Sequence, residues 1–222
     1  MTIIAGRHRV VDIDILEYVA ANSSPPDQVQ LDLQRATQER TGRSARMQIG
    51  HDQAVMMETL VRATRSRNAI EVGTFTGYSA LAIARGLPAD GKLLCCDTNA
   101  EWAEIGREHW RRAGVSERIE VKIGPALETL RALPTTEQFD FAFIDADKPE
   151  YYAYYEELLP RMRVGALLLA DNTLSNRGVV NPSATDASTE AMRAFNPRLA
   201  ADSRVRVSIL SIGDGVSLIE KL

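Results

Sequence analysis

Cysteine is nearly missing from this chain. There are two in 222 residues, and they are neighbours, Cys95 and Cys96. Adjacent cysteines make poor staples, and both lie in an apolar run, so they read as buried thiols on a strand in a reducing compartment. No Cys/His set has the spacing of a zinc site. A basic surplus is missing too: the formal net charge is −4, which gives no general pull toward nucleic acid. No stretch approaches the ~20 apolar residues of a membrane span. Met1 to Arg9 has no apolar signal-peptide core, so the expectation is a cytoplasmic protein without a membrane partner. No repeat, low-complexity tract or interdomain linker breaks the chain. What is present, 45% hydrophobic and 25% charged residues, suits one α/β domain with a full core and a helical extension.

The most informative stretch is Ala69-Ile70-Glu71-Val72-Gly73-Thr74-Phe75-Thr76-Gly77-Tyr78-Ser79. An apolar strand pattern runs into a tight loop with two glycines, and a helix pattern opens at Tyr78. Glycine lets the backbone turn sharply and lets a ligand approach. At the end of a first parallel strand, such a loop is where open α/β sheets bind nucleotide-like ligands. It lacks the Gly-Lys-Ser/Thr of a phosphate loop and the third glycine of a dinucleotide fingerprint. Alone it means an α/β fold with an adenosine-type ligand, or a plain turn.

Before that stretch, apolar residues at helical spacing predict a helix over 10–21 and a second over 27–40, separated by Asn22-Ser23-Ser24-Pro25-Pro26. Both precede the sheet and serve as packing, as a dimer surface or as a lid. The basic loop Thr41–Arg46 follows, then a helix over 53–65 that Asp52 can cap. His51 reads as a loop or capping residue. Thereafter strands (69–73, 92–97, 118–123, 139–144, 165–170, 204–210, 215–221) are interleaved with helices (78–86, 100–113, 125–132, 149–159, 187–200). Alternating units imply a parallel sheet covered on both faces. Gly213-Asp214-Gly215 marks a closing hairpin that adds an antiparallel strand. Residues 1–46 form the helical extension and 47–222 the core.

Glu71, Asp97, Asp145 and Asp171 all fall at the carboxyl ends of predicted strands, which share one rim. An acid at Asp97 can accept hydrogen bonds from a ribose diol, or cap the next helix. Asp145-Ala146-Asp147-Lys148 and Asp171-Asn172 gather oxygen donors suited to a hard divalent cation, magnesium, calcium or manganese. Capping and turn formation is the competing reading. An ammonium beside a bound cation is electrostatically disfavoured, so Lys148 can serve as a base, or it is a solvated lysine opening a helix.

With these residues assembled, the chain resembles the cation-dependent O-methyltransferases of the caffeoyl-CoA and catechol type, most closely the bacterial small-molecule members. The carrying motifs are Glu71 to Ser79, Gly124-Pro125-Ala126-Leu127, Phe143 to Lys148, Asp171-Asn172-Thr173-Leu174 and Gly213-Asp214-Gly215. The resemblance covers about Met47 to the end. It implies a single-domain Rossmann-like methyltransferase fold with a seven-stranded, mostly parallel sheet. It implies S-adenosylmethionine contacts at Met47, Glu71, Gly73, Thr74, Phe75, Ser79, Asp97, Ala126, Asp145 and Asp147, with Met47 and Asp147 at the cofactor or substrate edge. It places a divalent cation on Asp145, Asp171 and Asn172, and a catalytic lysine at Lys148. It also implies a catechol-like small-molecule acceptor and a homodimer.

Two positions depart from the plant members: Ser175 replaces a tryptophan, and Ile49 replaces a small hydroxyl residue. Substrate choice is expected in segments 36–50 and 174–188; Ser175 and Arg177, in a polar glycine-containing stretch, are the expected substrate contacts, with Arg177 either favouring an anionic acceptor or lying as solvated surface. The competing functions are a nicotinamide oxidoreductase on a related fold and a non-catalytic S-adenosylmethionine-binding module.

Overall fold

The computed structural model describes residues 13–136 and 138–222. Helices α1 (Ile13–Ala21), α2 (Gln28–Thr41) and α3 (His51–Ala63) precede the sheet. The beginning of the first predicted helix, residues 10–12, lies outside the described residues. Asp27 starts α2 with a capping box: its carboxylate accepts from Gln30 N at 2.9 Å, and the Gln30 side chain accepts from Asp27 N at 3.0 Å. The expected basic loop is a 3-10 turn over Gly42–Met47. Asp52 does not cap α3. The helix begins two residues sooner than expected, behind Gly50, and Asp52 sits in its first turn without a capping bond.

The alternating units follow as β1 (Asn68–Val72), α4 (Tyr78–Gly86), β2 (Lys92–Asp97), α5 (Ala100–Arg112), β3 (Ile119–Ile123), α6 (Ala126–Ala132), β4 (Phe139–Ile144), α7 (Tyr151–Leu158), β5 (Met162–Ala170), α8 (Ala187–Ala201), β6 (Val205–Leu210) and β7 (Val216–Lys221). The seven strands form one sheet in the order β3-β2-β1-β4-β5-β7-β6. Strands β1 to β5 pair in parallel; β7 runs antiparallel between β5 and β6. The chain reverses its direction of travel across the sheet between β1 and β4, which opens a crevice at their carboxyl ends.

Register fixes which side each residue faces. Ile70 aligns with Leu94, Ala142 and, through it, Leu168; Glu71 aligns with Cys95, Phe143 and, through it, Leu169. The first row packs with α6, α7 and α8, the second with α2, α3, α4 and α5. Phe141, Phe143 and Ile144 are fully buried, each stabilising the fold by about 1.5–3 kcal/mol. Strand β5 starts three residues before its expected position. Its pairing with β4 shifts register between Phe139 and Phe141, and Gly165 takes φ +76° there, so a bulge masks the first half of the strand in the sequence.

Candidate active site

The ladder continues one residue past the strands at the rim. Gly73 N donates to Cys96 O at 2.9 Å, Asp145 N to Val72 O at 2.8 Å, and Asp171 N to Ile144 O at 2.9 Å. These rungs bring Asp145 and Asp171 to one edge of the crevice. Gly73 has φ +92°, and a Cβ there would lie 2.0 Å from Asp145 O, so the loop and the next strand end meet backbone to backbone.

One side of the crevice is a cavity of about 440 Å3 lined by Gly73, Phe75, Asp97, Trp102, Ala126, Asp147 and neighbours. Asp97 Oδ2 accepts from Thr74 N at 2.8 Å and Phe75 N at 2.7 Å, and Oδ1 accepts from Asn99 N at 2.8 Å. Its carboxylate thus folds the glycine loop against β2 while lining the cavity. Asp97 does not cap the next helix: Asn99 caps α5, its side chain accepting from Trp102 N at 3.0 Å, and Asp97 instead lines the cavity, where a ligand donor can reach it. Phe75, with φ +50°, meets Trp102 edge to face at 5.0 Å between ring centroids. Ala126 opens α6 at the same cavity.

A narrow cleft leads inward past Met47, Ile49, Thr74 and Ser79 toward Asp145. Below it Glu71 is wholly buried, the penultimate residue of β1. Burial pushes its carboxyl up to about 7, against the opposing pull of the Ser79 and Thr74 hydroxyls and the Cys95 thiol. Among the described residues its Oε1 has no hydrogen-bond partner, so a ligand donor reaching it would satisfy a buried acceptor.

The other side is a larger cavity of about 690 Å3. Asp145, Lys148, Asp171 and Asn172 line it together. Asp171 is 2% exposed. Burial, then the charge of Asp145, raises its carboxyl to about 7. Two acids are thus forced against each other at one point. Lys148 Nζ donates to Asp145 Oδ1 at 2.9 Å and to the Tyr151 hydroxyl at 2.7 Å. Tyr151 is fully buried, and its own proton is shared between Ile144 O and Asp171 O, each at 3.2 Å. Gln53 Nε2 donates to Asp171 Oδ2 at 3.0 Å. Among the described residues, no three His, Cys, Asp or Glu side chains gather as a metal group; the set here is two carboxylates and an amide oxygen.

Of the expected substrate residues, Ser175 lines this cavity and Arg177 does not; the arginine that does is Arg46. Ser175, Asn176 and Arg177 form a left-handed turn, φ +50°, +48° and +66°. It is held by Asn176 N donating to Asp214 Oδ1 at 2.6 Å and by the Ser175 and Thr189 hydroxyls, 2.9 Å apart. Arg46 falls in the 36–50 segment expected to shape substrate choice; Gln53, Tyr151, Trp102 and Asp214 were not expected. Tyr151 had a local signal, three residues beyond Lys148; Gln53 had none, because its partner is 118 residues away.

An O-methyltransferase family model matches residues 20–222. Tricin synthase 1 of Oryza sativa subsp. japonica is 41% identical over 189 residues, 79% of this chain and 75% of that protein. Caffeoyl-CoA O-methyltransferase 1 of Nicotiana tabacum is 37% identical over 181 residues, 77% of this chain and 76% of that one. Among solved structures, the O-methyltransferase TomG of Streptomyces achromogenes, in complex with S-adenosylmethionine, superposes with TM-score 0.85 at 28% identity, covering 94% of this chain and 96% of that one. An O-methyltransferase of Bacillus cereus with S-adenosylhomocysteine gives 0.84 at 29%, covering 93% and 96%. These matches set aside the nicotinamide oxidoreductase. The glycine loop, the rim of acids and the family match converge: the chain belongs to the S-adenosylmethionine-dependent O-methyltransferases, of the caffeoyl-CoA and catechol O-methyltransferase type.

Proposed function

We propose that this chain methylates one hydroxyl of a catechol-like vicinal diphenol, using a divalent cation held by Asp145, Asp171 and Asn172 and Lys148 as the base. One observation carries this. The two cavities share a wall made of Met47, Phe75, Asp145 and Ala146, so a methyl donor on one side and an acceptor on the other meet beside Lys148. The donor set fits a cation: two crowded carboxylates, one of them raised to about 7 by burial and then by its neighbour's charge, beside a neutral amide oxygen. Magnesium is the first choice, with calcium or manganese as substitutes.

The cofactor supplies an electrophilic methyl, and the cation supplies Lewis acidity toward the two acceptor oxygens. The protein does the rest. Asp97 and the glycine loop seat the adenosine end, Ala126 and Asp147 border it, and Glu71 and Ser79 lie by the narrow cleft for the amino-acid end. Lys148 as a neutral amine has two protons and one lone pair. Its two protein partners, Asp145 and Tyr151, take the two protons. The lone pair is then left for the acceptor hydroxyl, whose proton moves to Nζ. Holding oxygen and methyl carbon in line provides most of the acceleration.

Arg46 on the cavity wall and Arg177 near it favour an acceptor carrying a carboxylate or another anion. Ile15, Leu16, Tyr18 and Val19 of α1 are exposed, which suits a homodimer in which a second copy covers them. Cys95 and Cys96, free and buried, suit a cytoplasmic site of action. Incubation with S-adenosylmethionine, magnesium and a catechol panel, read by product mass, tests the function. The expected result is a mass gain of one methyl that EDTA or Asp145→Ala abolishes. Turnover that survives both removes the cation; no methylated product with any catechol favours the non-catalytic binding module.

A further inference from the structure

We propose that Gln53 is a positioning residue for the cation site, its side-chain amide fixing the plane of the Asp171 carboxylate. The inference rests on the cation reading above. Asp171 receives one protein donor on each oxygen: Asn172 N on Oδ1 at 2.7 Å and Gln53 Nε2 on Oδ2 at 3.0 Å. The first comes with the chain itself. The second arrives from the first turn of α3, across 118 residues. With one donor a carboxylate still rotates about its Cβ–Cγ bond; with two its plane is set. The acceptor directions left over on both oxygens can then serve the cavity that Asp145, Asn172 and Lys148 line.

Gln53 is built to do only this. It is 2% exposed, between residues of α3 that pack on the sheet. A buried amide without a partner is costly, and an apolar side chain would fill the position without that cost. Among the described residues its side chain has one hydrogen bond, to Asp171. The amide presents its nitrogen to Asp171 Oδ2, which accepts, and its oxygen the other way. On that side stands Gly213, where a Cβ would come within 3.3 Å of Gln53 Oε1. Partners that orient metal ligands in this way typically change metal affinity by about 10- to 100-fold when removed.

Titration of the purified full chain with Mn2+ alone, followed by the resonance signal of the free ion, measures affinity without turnover. Gln53→Met keeps the length and removes the donor. It is expected to weaken Mn2+ binding by about 10- to 100-fold while S-adenosylhomocysteine binds as in the parent. If Gln53→Met does not fold, Gln53→Asn keeps the amide but draws it back from Asp171, and the same loss is expected. Equal Mn2+ affinity in parent and folded variant overturns this role for Gln53 and leaves the cation reading standing. A parent chain that takes up no Mn2+ removes the cation reading and Gln53's role with it.

Discussion

Tyr151→Phe separates the brace of Lys148 from the shape of the core. The ring is fully buried and meets Phe195 edge to face at 5.7 Å, so phenylalanine keeps the packing and loses only the hydroxyl. That hydroxyl accepts from Lys148 Nζ at 2.7 Å and donates toward Ile144 O and Asp171 O at 3.2 Å. Burial holds its acidity well below that of ordinary tyrosine, so it stays a phenol and can do both. Leaving buried partners unsatisfied costs about 1–3 kcal/mol, expected as a lower Tm in the absence of ligands. In catalysis, Lys148 keeps Asp145 but loses the second of its two anchors. A loss of about 1–2 kcal/mol of transition-state stabilisation corresponds to roughly 5- to 30-fold in kcat. The assay is steady-state methylation of a catechol at saturating magnesium, with kcat and both KM values resolved. The KM for S-adenosylmethionine should not move, since Tyr151 does not line the cavity proposed for the cofactor. An unchanged kcat in a folded Tyr151→Phe protein would refute the idea that two acceptors orient the amine.

Two further outcomes follow from buried geometry. Glu71 holds its proton to about pH 7 when folded and has a reference value of 4.5; the folded state therefore binds more protons, and stability falls as pH rises between those values. Linkage puts the loss at about 3 kcal/mol, so Glu71→Gln should remove that slope from ligand-free denaturant unfolding between pH 5 and 8; identical pH profiles for parent and variant would contradict the burial effect. Gly73→Ala places a Cβ against the Asp145 carbonyl at a left-handed φ, a strain of at least about 1–3 kcal/mol; parent-like Tm and cofactor Kd would show that the loop and strand end do not meet as described.

Much of the fold was legible because Asp97, Asp145 and Asp171 each follow a run of at least four apolar residues. Phe139 to Ile144 reads as a buried central strand, and Asp145 has nowhere to be but its tip. Strand β5 was cut short in the reading because Gly165 sits in a bulge, and a bulge breaks the run that a linear scan depends on. The candidate site divides in the same way. Asp145, Lys148, Asp171 and Asn172 are grouped by motif, and the fold brings them together. Gln53 carries no local pattern, since its meaning comes from a partner 118 residues away, just past the end of β5. Of the two arginines, Arg46 lies on the cavity wall and Arg177 on an exposed turn, a choice set by backbone dihedrals that composition does not encode. Asp52 illustrates the reverse: a good capping residue is displaced when Gly50 starts the helix first.

The left-handed turn over Ser175, Asn176 and Arg177 has an implication for how such an enzyme changes its diet. None of the three is glycine, and non-glycine residues in this conformation are held at an energetic disadvantage, about 1 kcal/mol each. Asp214 and Thr189 clasp the turn from outside the sheet. Glycine substitutions here would release tension rather than create it, so this margin of the proposed acceptor cavity can be rewritten while the parallel strands and their acid tips stay untouched.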